Sequence, residues 1–174
     1  MTALVWFSHP PDFAKLELSV ARCRELDPSA RCIVVIESHH DSPSIDGVEI
    51  IRADFARGFH LDGREAVHGV ARTLASIDAD LIVKIDSDMI LSRAFWHDGP
   101  TVFQRFNNFY VGLYALPKHI LQIIVRCLED QPNPGPHEAM AIAGRAVTAS
   151  HARGEKINHH RTPQGAFFPD IITT

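Results

Sequence analysis

The sequence predicts an α/β fold, a mostly parallel sheet covered by helices on both faces, and three observations point to it. Short apolar runs of strand length, such as Cys32 to Ile36 and Leu81 to Val83, lack the polar alternation of a strand with one wet face. Between them lie stretches whose apolar residues recur every three or four positions, so strand and helix signals alternate, the order that builds a parallel sheet. With 174 residues, 45% apolar and 22% charged, the chain has the size and balance of one globular core. Residues 1–174 are expected to form a single compact domain, with the tail 154–174 less regular.

Ala3 to Ser8 reads as a short strand. Asp12 to Leu26 is a helix with Phe13, Leu16, Val20 and Cys23 on one face, and Asp12, just after Pro10 and Pro11, stands where an N-cap belongs. Arg31 to Glu37 is a strand buried on both faces, and Val48 to Arg52 is a shorter one. Asp62 to Ile77 is a helix marked by Val67, Val70, Ala71, Leu74 and Ile77. Asp80 to Ile85 is a strand that runs straight into Asp86-Ser87-Asp88.

In the second half, Thr101 to Arg105 and Phe109 to Ala115 read as strands. Pro117 then opens a helix through Leu128, with Ile120, Leu121, Ile124, Val125 and Leu128 as its apolar stripe. The proline-rich segment Gln131 to Pro136 is a loop. A last helix runs from about His137 to Arg153, and the tail from Lys156 carries His159, His160 and Phe167-Phe168.

A formal net charge of -4 offers no excess of cations to neutralise a phosphate backbone, which argues against nucleic-acid binding. The apolar start, Met1 to Phe7, has no basic leader and meets Pro10 and Pro11 too early for a signal sequence. No segment reaches the roughly 18 apolar residues of a membrane span, and a cytoplasmic protein is expected. Cys23, Cys32 and Cys127 are too widely spaced for a metal knuckle or a redox pair, so reduced structural thiols are expected.

Chemistry concentrates at Asp86 and Asp88. Side chains at i and i+2 of an extended segment point the same way, which brings two carboxylates into one small volume. Such a pair repels unless one protonates or a cation lies between them. Mg²⁺ and Mn²⁺ prefer these hard oxygen ligands and keep positions open for substrate phosphates. Aspartate is also common in any short loop after a strand. Here the pair directly follows a buried strand, at the edge of the sheet where ligands of α/β proteins bind.

The stretch Ala79-Asp80-Leu81-Ile82-Val83-Lys84-Ile85-Asp86-Ser87-Asp88-Met89-Ile90-Leu91 resembles the DxD segment of glycosyltransferases with the GT-A fold. Phe7-Ser8-His9-Pro10-Pro11 is similar to the first strand and turn beneath the nucleotide in that family. Asp62-Gly63-Arg64-Glu65-Ala66 is similar to the start of the helix before the DxD strand. Gly112-Leu113-Tyr114-Ala115-Leu116-Pro117 resembles the later strand beside the sugar. The resemblance extends over residues 3 to 160 in element order, with the DxD stretch its most specific part. It implies a Rossmann-like, nucleotide-diphospho-sugar transferase sheet, although the chain is shorter than typical members.

The resemblance places donor nucleotide contacts at Ser8 and His9 after the first strand, and at Glu37 and Asp54 after the second and third. Arg64, in the first turn of a helix, would meet the diphosphate together with that helix end. Asp86 and Asp88 would hold Mn²⁺ or Mg²⁺, and His159 or His160 stands where such folds place a third metal ligand. Glu138 stands where similar enzymes carry the acidic residue that activates the acceptor hydroxyl, although a carboxylate there also suits a helix start. Lys84 shares its strand face with Asp86, and a buried lysine requires a carboxylate or phosphate within reach.

The function implied is transfer of a sugar from a nucleotide-diphosphate donor, uridine or guanosine, to a hydroxyl acceptor that is a glycan or a small molecule. Two alternatives use the same features. One is a non-catalytic nucleotide- or glycan-binding module of this fold, and the other is a nucleotidyltransferase or phosphohydrolase built on the same carboxylates. The chain has no glycine-rich phosphate loop near its start, and Ser8-His9-Pro10 stands where a nucleophilic aspartate would be needed.

Overall fold

The structure is a computed structural model that describes residues 1–53, 63–105, 108–131, 136–161 and 171–173. Four parallel-sheet strands come first or are reached through helices: β1 (Thr2–Phe7), β2 (Arg31–Ile36), β3 (Glu49–Arg52) and β4 (Leu81–Asp86). Helix α1 (Phe13–Leu26) joins β1 to β2, and α2 (Gly63–Ser76) precedes β4. Then come β5 (Met89–Leu91), β6 (Thr101–Arg105), β7 (Asn108–Pro117), α3 (Lys118–Glu129), α4 (Pro136–Ala152), β8 (Asn158–Arg161) and β9 (Ile171–Thr173). Every helix and strand expected from the sequence is present among the described residues. Residues 132–135 of the expected proline loop, and Phe167-Phe168, lie outside them.

Seven strands form one sheet in the order β3-β2-β1-β4-β7-β6-β8. Neighbours from β3 to β4 are all parallel, β7 runs antiparallel to both β4 and β6, and β8 is parallel to β6. β7 alone therefore points the other way, and its direction follows from the short connection to β6, which allows only an antiparallel return. β5 and β9 pair separately as a two-stranded ribbon. The sequence does not announce β5, β8 or β9. Asn158–Arg161 is entirely polar and is a strand because the edge of β6 offers it hydrogen-bond partners.

Successive residues of a strand face opposite sides, and the core divides accordingly. Ala3, Val5, Ile33, Val35 and Ile82 pack with Leu74 of α2, Ile120 and Leu121 of α3, and Ala143 and Val147 of α4. Leu4, Trp6, Val34, Val83 and Ile85 pack on the other side against Leu16, Val20 and Cys23 of α1, with Phe95, Trp96 and Phe103. Ser19 is polar yet faces this second core, because the Trp6 indole N–H donates to its hydroxyl at 2.9 Å. The expected N-cap role of Asp12 takes a different form. It precedes α1 without a side-chain capping bond and instead pairs with His9 across a 3₁₀ turn, Pro10–Asp12. Cys23, Cys32 and Cys127 are free thiols, and burial pushes Cys23 up to about 12, which keeps it protonated and unreactive.

A buried carboxylate ties α1 to the 3₁₀ turn Phe95–Asp98. Asp27, which ends α1, accepts the Trp96 indole N–H at 2.9 Å, the Ser29 hydroxyl at 2.7 Å and the Ser29 amide at 3.2 Å, and lies 3.2 Å from His97 Nε2. Burial raises the pKa of this group, but the hydrogen bonds from Trp96, Ser29 and His97 outweigh it and bring Asp27 from an ordinary 3.8 down to about 2. The ionised form is thus preferred by the native state. Its stabilisation is complete above pH 4 and is lost as pH falls toward 2. Asp27→Ala leaves the Trp96 N–H buried and unpaired, at a cost of about 1–3 kcal/mol. Urea unfolding at pH 7 and pH 3 checks this: the variant is weaker at pH 7, and its deficit shrinks at pH 3.

Candidate donor site at the switch point of the sheet

In an open α/β sheet, ligands bind beyond the carboxyl ends of the strands, where the strand order reverses. Here the chain goes from β1 outward to β2 and β3, then returns through α2 to β4 on the other side of β1. The reversal lies between β1 and β4. Their ends are level, since Phe7 is in register with Asp86. Ser8-His9 and Ser87-Asp88 therefore leave the sheet side by side. α1 and α2 both begin at this edge, because each descends from it to the start of the next strand. α4 also begins there: Pro117 pairs with Leu81 at the opposite edge, α3 climbs back, and α4 descends toward Asn158. Helix N-termini carry unpaired amides and partial positive charge that suit an anion.

Asp86 is the last residue of β4, and the chain turns at Ser87 and Asp88 before β5. Asp86 thus ends the strand and Asp88 belongs to the turn, so the two are not successive residues of one extended strand. Asp86 is half-buried and Asp88 is exposed. Lys84, buried between Val5 and Tyr114 in adjacent strands, directs its ammonium onto Asp86 Oδ1 and lies 3.5 Å from the Gly112 carbonyl. That carboxylate is the partner a buried lysine requires. Gly112 on β7 has no room for a side chain: a Cβ there would run into Asp86 Oδ2 and would lie 2.8 Å from the Tyr110 ring. Burial, followed by the negative charge of Asp86, pushes the Tyr114 phenol well above its ordinary value, so it stays neutral.

Ser8 is buried, its amide donates to the Val35 carbonyl at 3.0 Å, and its hydroxyl has no hydrogen-bond partner. A buried hydroxyl of this kind is costly unless something completes it. His9 is buried with Nδ1 2.7 Å from Asp12 Oδ2, which holds the ring in place. Glu37 follows β2 at the same edge with its side chain mostly buried. Glu138 is exposed in the first turn of α4. Asp54 lies outside the described residues, as does the side chain of Arg64, whose backbone belongs to the first turn of α2.

No family profile and no curated protein matches this sequence. Solved structures do match in shape. The glycosyltransferase GlyE of Streptococcus pneumoniae TIGR4 superposes with a TM-score of 0.53 at 11% identity, over 90% of this chain and 44% of its own. An active-site mutant of LgtC gives a TM-score of 0.55 at 9% identity, over 90% of this chain and 72% of its own. A putative nucleotide-diphospho-sugar transferase of Desulfovibrio desulfuricans G20 gives 0.52 at 11% identity, over 92% of this chain and 79% of its own. The fold is that of GT-A glycosyltransferases. This chain spans less than half the length of GlyE.

Within this GT-A fold the structure does not bring His159 and His160 to Asp86 and Asp88. They lie on β8, separated from β4 by β7 and β6, about 14 Å at the usual strand spacing. His160 stacks on Phe103 in the core opposite the Asp86 face, with ring centroids 5.3 Å apart, and His159 stands against His151 of α4. Asp86 and Asp88 remain a chemically suitable pair for a hard divalent cation, both reaching solvent at the strand end. Among the described residues, the group with ligand atoms already gathered is Glu37, His39 and His40. No motif flags it in the sequence beyond a glutamate and two adjacent histidines directly after a buried strand. No described helix is long and apolar enough to cross a membrane.

The two aspartates are expected to respond differently to truncation. Asp86→Ala strands a buried ammonium and costs about 3–5 kcal/mol, part of which returns when Lys84→Met is added. Asp88→Ala, at an exposed turn, stays within about 0.5 kcal/mol of the parent. Gly112→Ala loses about 1–3 kcal/mol to overpacking. Chemical denaturation of the four variants checks this order.

Proposed function

We propose that this chain is a glycosyltransferase that takes a nucleotide-diphosphate sugar, with a uridine or guanosine base, and passes the sugar to a hydroxyl of a glycan or small molecule. What supports this most is the pairing of level strand ends at the switch point: Ser8, whose hydroxyl has no partner, follows β1 at the same edge where the Asp86-Ser87-Asp88 turn follows β4. Ser8 would gain its missing hydrogen bond from the donor nucleotide, beside the ring of His9. Glu37 and Asp54 would accept hydrogen bonds from ribose hydroxyls or a base edge. Arg64 would meet the diphosphate at the start of α2.

Asp86 and Asp88 would hold Mn²⁺ or Mg²⁺, which when bound stabilises the charge that develops on the leaving diphosphate. Lys84 would orient the Asp86 carboxylate through their ion pair. Glu138 lies on the sheet face of Asp86, at the same edge, and would accept the proton of the acceptor hydroxyl. The acceptor oxygen then bonds to the anomeric carbon as the bond from that carbon to the diphosphate breaks, and attack opposite the leaving group inverts the configuration. General-base help of this kind contributes about 10²- to 10⁴-fold.

One observation favours a second reading: Lys84 already neutralises Asp86, so the turn can be stable as a purely binding or structural feature. The chain would then be a non-catalytic nucleotide- or glycan-binding module. Calorimetric titration with UDP and GDP, with and without Mn²⁺, separates the cases. Metal-dependent binding that disappears in Asp88→Ala is the expected result, and its absence from the parent protein refutes the donor site. Glu138→Gln is expected to slow sugar transfer by about 10²- to 10⁴-fold while nucleotide affinity stays unchanged. Nucleotide binding without turnover, indifferent to Glu138→Gln, identifies the module.

A further inference from the structure

The turn after β2 holds three side chains whose ligand atoms face one another. Glu37 Oε2 lies 3.8 Å from His39 Nε2 and 3.8 Å from His40 Nδ1, and all three ligand atoms fall within 4.8 Å of one another. The backbone beneath them is fixed. The His40 amide donates to the Glu37 carbonyl at 3.1 Å, closing the turn. Arg52 of β3 donates to the Ser38 carbonyl at 3.1 Å, the His40 carbonyl at 2.8 Å and the Ser42 hydroxyl at 3.0 Å. His40 Nδ1 is shut off from solvent and has no hydrogen-bond partner. A proton on that nitrogen would not mend this, because 3.8 Å to Glu37 is beyond hydrogen-bonding distance.

We propose that Glu37, His39 and His40 form a metal site for a borderline divalent cation of the zinc type. A cation placed among the three satisfies the orphaned nitrogen and both neighbours at once. Zinc bonds of about 2.0–2.2 Å at a tetrahedral angle put ligand atoms about 3.4 Å apart, so the two 3.8 Å legs to Glu37 close by about 0.4 Å and the leg between His39 and His40, within 4.8 Å, by up to about 1.4 Å. The exposed His39 side chain can supply much of that movement. Two imidazoles and one carboxylate select zinc and its neighbours over magnesium or calcium. Three protein ligands leave a fourth position open to water or to an oxygen of a bound ligand. The site is separate from the Asp86-Asp88 turn, which lies two strands away, at about 10 Å. It stands whether or not the chain transfers sugar.

The test is calorimetric titration of the full chain with Zn²⁺ against a competing chelator, with Co²⁺ absorption as a report on ligand number and geometry. One equivalent is expected, with a Co²⁺ spectrum of low-coordinate nitrogen and oxygen ligation. Changes outside a metal's ligand shell commonly cost about 10- to 100-fold, so loss of a ligand in His39→Ala or Glu37→Gln should weaken binding by at least about tenfold. His39 is exposed, which makes His39→Ala the variant least able to disturb the fold. Asp88→Ala and His151→Ala are expected to keep the equivalent. No bound equivalent in the parent, or one that survives both His39→Ala and Glu37→Gln, overturns the proposal.

Discussion

The structure depends on the two central strands, β1 and β4, being covered on both faces. A strand in that position has no wet side, so every residue between its ends must be apolar or carry its own partner. Polar chemistry is thereby pushed to the ends, where the backbone leaves the sheet. Ser8-His9 and Asp86-Ser87-Asp88 are the first polar residues after those two runs, and the level register sets them side by side. The same constraint explains the order of the helices. Three of them begin at the carboxyl edge: α1 and α2 cross from a strand end toward the start of the next strand, and α4 starts where α3 has carried the chain back.

Among the described residues, Asp27 and Lys84 are the buried groups that carry a full charge, aside from histidines, and each shows how the cost is met. Asp27 is surrounded by donors from Trp96, Ser29 and His97, so it locks the end of α1 to a distant turn. Lys84 reaches along its own strand to Asp86 and so joins the interior to the ligand edge. The glycine at 112 makes room for that carboxylate. An interaction that stabilises the core therefore also orients the first aspartate of the turn.

The carboxyl edge gathers several anionic groups, Glu37, Asp86, Asp88 and Glu138, beside helix N-termini of the opposite sign. An arrangement of that kind suits a diphosphate accompanied by a cation better than a bare anion. The proposed Glu37-His39-His40 site would add a cation chemistry softer than the one two carboxylates can offer. Arg52 makes it possible, because it fixes the turn from the neighbouring strand.

Much of this was determined by the sequence alone. The apolar runs at Cys32–Ile36 and Leu81–Val83 and the helical stripes of α1 to α4 follow from local pattern, because burial on two faces or one stripe leaves a direct trace in residue type. The position of Asp86 and Asp88 at a strand end is legible for the same reason. The tertiary structure decided what depends on neighbours. β8 is polar and exists because β6 has an open edge. Its place three strands from β4 keeps His159 and His160 away from the aspartates. Asp88 belongs to a turn and not to the strand of Asp86, because the chain turns there to begin β5. The grouping of Glu37 with His39 and His40 needs a clamp from Arg52, a residue whose approach no local pattern records.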